Sequence, residues 1–315
     1  MNVLVVGGAG YLGGAVTDLL KKTKHSFRVY DALLYEESFR KDVPFIYGDV
    51  RDRKKLLTQL NWADCVIWLA ALVGDGACAL HPDVSYEINE KSVKWLVSNF
   101  HKRIIFTSTC SVYGIQETEV DELSPTNPLS VYAATKLLAE KHLQKSDAII
   151  FRLGTLFGIS DEYSRVRMDL VVNTLTARAF TEGKLKVFGG EQYRPILHVK
   201  DTAKAIIDNI ASKHIGIFNL KQENVKIFDL VKRVQKYFPK LVIETVDMKF
   251  QDTRNYRANS KKSEKTLKFF PKITAEDGMI EIKKLLKEHR IGDINNPRFT
   301  NQLYLSAYNT HLLTK

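Results

Sequence analysis

Three cysteines are all that the 315 residues contain. Cys65, Cys78 and Cys110 are scattered, odd in number and in no paired motif. That argues against a disulfide framework and against a zinc site, and it suits a reducing cytoplasm. No run approaches the ~18 consecutive apolar residues that a spanning helix needs, which speaks against a membrane protein. The opening residues lack a basic segment and a small-residue cleavage site, so they read as a first strand rather than a signal peptide. Internal repeats, Gly/Ser linkers and low-complexity stretches are also missing. What remains is an ordinary globular composition, 44% hydrophobic and 26% charged, which excludes disorder, collagen and coiled coil. The length suits two domains better than one.

Acidic residues are the minority, and the formal charge is +11. Much of the excess lies in residues 221–270, where thirteen Lys/Arg face six Asp/Glu. Such a segment suits nucleic acid, an acidic membrane or a phosphorylated small molecule, or is simply a solvated face. No basic stripe interleaved with aromatics, of the kind that stacks bases, accompanies it.

The first 160 residues alternate short apolar runs with helical patterns. Strands are expected near 3–6, 27–30, 45–47, 65–70, 103–107 and 148–151, and helices at 84–100, with Asp83 as N-cap, and at 131–144. Strands that are apolar throughout and separated by helices imply a parallel sheet covered on both faces. The expected fold is therefore α/β, a doubly wound, Rossmann-like sheet with a smaller C-terminal α/β substrate-binding domain, and ligands outside the carboxyl ends of the strands. The first domain would span 1–165 and also use about 193–220; the second would be mainly 166–315. Beyond residue 160 helices are expected at 170–181, 200–210, 228–237 and 279–287. From Asn295 on the chain is polar and poorly periodic, either a mobile tail or a docked one.

Chemistry concentrates in five places. Gly7, Gly10 and Gly13, with Tyr11 and Leu12 between the last two, follow an apolar strand and open a helix. Glycine is needed there for a tight turn, for close approach of a pyrophosphate and for helix–strand packing, and the helix N-terminus favours phosphate. Asp31 ends the second strand, where a carboxylate accepts from ribose hydroxyls and repels a 2′-phosphate, favouring NAD over NADP. Asp49, beside Val50, is placed to reach the adenine edge. Thr107 to Tyr113 put hydroxyls at the end of the fifth strand, and Tyr132 and Lys136 follow at helical spacing on one face. The structural alternative for each is a turn, a satisfied strand end or a surface pair.

Taken in this order, these motifs resemble the extended short-chain dehydrogenase/reductases, in particular the NAD-dependent nucleotide-sugar epimerase/dehydratase group. The resemblance covers roughly residues 1–290. It includes Leu69, Ala70 and Ala71 after the fourth strand, Asn89, the segment 152–158 and the segment 194–199. It implies NAD as cofactor, a nucleotide-diphosphate sugar as substrate, a role in carbohydrate biosynthesis, and a homodimer built from the helices at 84–100 and 131–144. It also implies that Tyr132 is the acid/base, that Lys136 holds the nicotinamide ribose and favours the phenolate, and that Thr109 relays the sugar hydroxyl proton. Thr109, Ser111, Thr155, Arg167, Asn173, Arg194 and Arg254 are the substrate-binding candidates, the arginines for the diphosphate.

Departures narrow the activity. Cys110 and Ser111 stand where a 4,6-dehydratase carries Asp-Glu, so dehydratase is disfavoured. Thr155 replaces an asparagine common among epimerases. The segment from Phe157 to Asn173 is similar to GDP-heptose 4-dehydrogenases, with extra residues at 161–163. The leading expectation is a nucleotide-sugar 4-epimerase working through a 4-keto intermediate. A 4-dehydrogenase or 4-ketoreductase is second, and an RNA-binding protein on the same fold is the rival of another class.

Overall fold

The computed structural model describes residues 1–36, 38–246 and 254–308. In chain order the first part comprises β1 (Asn2–Val6), α1 (Tyr11–Leu20), β2 (Ser26–Asp31), β3 (Phe45–Tyr47), α2 (Arg53–Trp62), β4 (Cys65–Trp68), α3 (Asp75–Leu80), α4 (Pro82–Tyr86), a π-turn at Glu87–Lys91, α5 (Ser92–Asn99), β5 (Arg103–Thr109), a 3-10 turn at Cys110–Tyr113, β6 (Ile115–Val120), α6 (Val131–Leu143) and β7 (Ala148–Leu153). Then follow β8 (Thr155–Phe157), α7 (Val171–Thr181), β9 (Lys184–Phe188), β10 (Tyr193–His198), α8 (Val199–Asp208), β11 (Gly216–Leu220), β12 (Glu223–Lys226), α9 (Ile227–Tyr237), β13 (Val242–Val246), β14 (Asn255–Ala258), α10 (Lys261–Leu267), α11 (Ala275–Lys287), a 3-10 turn at Pro297–Phe299 and α12 (Asn301–Tyr308).

Seven strands pair in the order β11-β7-β5-β4-β1-β2-β3, every pair parallel. Their side chains alternate between two cores. Leu4, Val6, Val66, Trp68, Ile104, Phe106 and Ile150 pack on one face, and Val3, Val5, Ile67, Ile105, Ile149 and Phe151 on the other. Both faces are covered, which is why these runs are apolar without alternation. The order reverses between β1 and β4, and that switch point opens a crevice at the carboxyl ends of the strands. A third core, with Phe157, Val172, Leu185, Val187, Ile196, Leu230 and Met279, joins α7, α9 and α11 to the shorter strands β8, β9, β10 and β12.

Two local expectations change. The helix expected over 84–100 is interrupted by the π-turn, and Asp83 lies in the first turn of α4 rather than capping it; Pro82 takes the first helical position after His81. The polar tail docks: Leu305 is fully buried against the first core, and Tyr304 is 5% exposed. Residues 309–315 lie outside the described residues. Among the described residues no helix is long and apolar enough to cross a membrane.

Candidate active site

Two positions around the turn after β1 could not carry a side chain. Gly7 has φ +85°, and a Cβ on it would lie 2.4 Å from the backbone nitrogen of Ala70 in the loop after β4. A Cβ on Gly13 would meet the carbonyl oxygen of Gly8 at 2.4 Å, so glycine there lets α1 close down on the turn. Gly10 has no such obstacle and lines the open cleft.

That cleft, about 590 Å³, runs along the carboxyl ends of the strands. Of the residues expected in a site, Gly7, Gly10, Tyr11, Leu12, Gly13, Asp31, Asp49, Val50, Leu69, Ala70, Ala71, Tyr132, Lys136 and Arg167 line it. The Asp31 carboxylate accepts from the backbone nitrogens of Ala9 at 3.0 Å and Leu33 at 2.7 Å. Burial raises its pKa, against the pull of those N–H groups. Asp49 is taken by Arg51, whose guanidinium reaches it at 3.0 and 2.7 Å. Burial works against that carboxylate's charge, but the Arg51 contacts outweigh it and hold the pKa down.

Helix α6 carries Tyr132 and Lys136. Ser130 caps it, accepting from the backbone nitrogen of Ala133 at 3.2 Å and donating to Asp75 at 2.7 Å. Lys136 is 2% exposed, its ammonium 4.2 Å from the centroid of the Phe106 ring. Here the expected electrostatics reverse. Burial lowers the Lys136 pKa to about 7, and burial raises that of Tyr132, with Cys78 and Asp75 adding to the rise and Arg167 opposing it. Desolvation outweighs the helical proximity on which the sequence reading relied. One turn further on, Glu140 is buried and accepts from Ser108 at 2.5 Å and from Arg152 at 2.7 to 3.2 Å. Arg152 also donates to the Tyr113 hydroxyl at 2.9 Å.

The remaining candidates gather elsewhere. Thr109, one residue past the cleft-lining Ser108, accepts from the backbone nitrogen of Ser111 at 3.1 Å. Ser111 Oγ is 3.3 Å from the Tyr256 hydroxyl and accepts from Arg254 at 3.2 Å, while Arg254 lies 3.1 Å from Asp75. Arg194 donates to the carbonyls of Tyr193 and Arg254. These residues form a polar cluster joined through Asp75 and Ser130 to the start of α6. Thr155 pairs with Ile196 in the β8–β10 ladder. Asn173 is fully buried, and its amide is engaged with the backbone of Gly158 and Arg167. Structurally it supports the loop rather than the cleft. Arg167 is forked onto Asp169 at 2.7 and 2.9 Å.

Sequence reasoning missed Glu140, Arg165, Tyr35 and Asn301. Glu140 had a signal, since it continues the spacing of Tyr132 and Lys136 by one more turn. The other three come from loops and the tail, where no periodicity marks them.

The sequence profile of the "NAD dependent epimerase/dehydratase family" matches residues 3–220. A UDP-glucose 4-epimerase of Halalkalibacterium halodurans is 27% identical over 317 residues, covering 89% of this chain and 94% of that one. The UDP-glucose 4-epimerase of Thermotoga maritima, solved with UDP-glucose, superposes with a TM-score of 0.80 at 20% identity, covering 92% of this chain and all of that one. A dTDP-glucose 4,6-dehydratase of Streptomyces venezuelae, solved with NAD, reaches the same TM-score at 22% identity, covering 92% and 98%. At these identities the two structures share the fold.

Proposed function

Because the chain belongs to the NAD dependent epimerase/dehydratase family, we propose that it is a nucleotide-sugar 4-epimerase acting on a nucleoside-diphosphate hexose. One observation carries the reading: Tyr132 and Lys136 line the same cleft as the glycine turn and Asp31. The cleft fits a dinucleotide. The turn is built where side chains would collide, the free N–H groups of α1 begin at it, and Asp31 ends the neighbouring strand.

NAD, when bound, supplies a hydride acceptor that is also the hydride donor. The chain's residues supply binding and proton transfer. The glycine turn takes the diphosphate, Asp31 the adenosine ribose and Lys136 the other ribose. Tyr132, whose buried phenol would need the positive charge of the bound nicotinamide to ionise, accepts the proton of the sugar C4 hydroxyl and gives it back after the ketone has turned its other face. Thr109 accepts from Ser111, so its own hydroxyl proton stays available to bridge sugar and phenol. The polar cluster of Ser111, Arg194 and Arg254 lies beside the start of α6 and suits the nucleotide diphosphate.

Dehydratase chemistry is the less supported half of the family name. Elimination at C6 needs an acid and a base after the strand-end threonine. Cys110 there is fully buried, with its thiol on the Arg152 carbonyl at 3.3 Å and its pKa raised by burial, and Ser111 is a hydroxyl. For the nucleic-acid reading, two cations of the basic segment are already engaged. Lys262 sits on the Ile217 carbonyl and the Phe218 ring, and Arg233 is forked onto Glu223.

Tyr132→Phe tests the assignment. The variant should keep its cofactor and lose at least ~100-fold in turnover of UDP-glucose, the substrate named for the relatives. Undiminished turnover would remove the proposed acid/base.

A further inference from the structure

Two residues before Arg167 stands a second arginine that no motif singles out. Arg165 is 7% exposed and lines the cleft. Its guanidinium donates to two neutral acceptors, the Arg298 carbonyl at 2.6 Å and the side-chain carbonyl of Asn301. Among the described residues no carboxylate pairs with it. It lies over the Tyr35 ring at 4.8 Å and near that of Tyr304 at 5.7 Å. Burial, and then the charge of Arg167, push its pKa down to about 10, which leaves it a cation at neutral pH.

The surrounding charges do not balance. Asp169 takes the fork of Arg167, and Glu36 accepts the backbone N–H of Arg165 at 2.9 Å and lies 3.5 Å from Arg298. Three guanidiniums thus face two carboxylates, and the surplus sits on the buried one that no carboxylate touches. A buried cation held only by neutral acceptors on a cleft wall has room for an anion. A second polar group beside it is also unmatched: the Tyr35 hydroxyl is buried, and the Val73 backbone approaches it without closing a hydrogen bond.

Place in the fold says which anion. Ser164, next to Arg165, donates to the Gly10 carbonyl at 3.4 Å, so the loop lies against the glycine turn. Tyr35 follows β2 four residues past Asp31. Arg165 is therefore flanked by the turn that receives a diphosphate and the strand end that receives a ribose. The tail completes this corner, since Asn301 bonds Arg165, Val73 and, through its backbone nitrogen, Asp169 at 3.0 Å.

We propose that Arg165, held in place by the C-terminal helix through Asn301, binds the diphosphate of the dinucleotide. The assignment rests on the reading that this cleft takes a dinucleotide. It makes the tail part of the cofactor site and Asn301 a positioning residue.

The test is calorimetric titration of cofactor-free protein with NAD, adenosine and UDP. Arg165→Gln should weaken NAD by about 10-fold or more while adenosine and UDP stay within about two-fold. Asn301→Ala should weaken NAD in the same direction by less. If Arg165→Gln does not fold, Arg165→Lys keeps the charge without the fork and should still weaken NAD. Unchanged NAD affinity in the folded Arg165 variant would overturn the assignment. So would an equal loss for adenosine, which means a distorted pocket, or a loss confined to UDP, which moves the arginine to the substrate's diphosphate. A wild-type chain that binds no NAD would overturn the dinucleotide reading as well.

Discussion

Lys136 keeps its ammonium in an apolar wall, over Phe106, with Glu140 opposing the effect of burial one turn away. Its pKa, about 7 against an ordinary 10.5, has a thermodynamic consequence. Between those values the unfolded chain holds a proton that the folded chain lacks, so stability rises with pH across that window. Below about pH 7 the full cost of the buried charge remains. In cofactor-free protein, Lys136→Met should therefore be more stable than wild type at pH 6, by on the order of 5 kcal/mol. The gap should close as pH approaches 10. Urea midpoints at pH 6 and pH 10 measure it, and a gap that widens with pH would contradict the burial argument. That Tyr132, Lys136 and Asp31 would share one cleft was legible, because their spacing and position on strand or helix are local properties. The pKa directions of the pair were not, because burial is a property of the assembled cleft.

At the scale of elements, α6 is fixed at both ends. Ser130 ties its start to Asp75, and Glu140 ties its last turn to β5 through Ser108 and to β7 through Arg152. Glu140 and Arg152 are both nearly inaccessible. Removing one charge leaves the other buried without an opposite charge, so Glu140→Gln should cost about 3–5 kcal/mol. The double replacement Glu140→Met with Arg152→Met should recover much of that. Denaturant unfolding of the three variants checks both statements, and an unaffected Glu140→Gln would show that the pair does not anchor the helix. Most strands of the large sheet could be read from their apolar runs; β11 was not read as a strand in this way, although it lies in the segment 193–220 that the first domain was expected to use. The π-turn was also hidden: Asn89 within it is fully engaged with Leu72 and Thr135, contacts between segments that periodicity does not reveal.

At the scale of the whole molecule, the cleft is walled by residues from β1 to the tail, with Gly7 and Asn301 lining the same space. The charge surplus at residues 221–270 left a phosphate-binding segment and a solvated face equally open, whereas the surplus at the cleft is the single guanidinium of Arg165. No composition count could place it, since it depends on which carboxylates fold near which arginines. The central claim is that this cleft oxidises C4 of a nucleotide sugar and returns the same hydrogen to the opposite face. UDP-glucose carrying deuterium at C4 tests it most directly, with products followed by NMR. The account predicts the C4 epimer with deuterium retained at C4 and no net reduction of cofactor. Deuterium transferred to C6, or carried off on reduced cofactor while a keto sugar leaves, would contradict it.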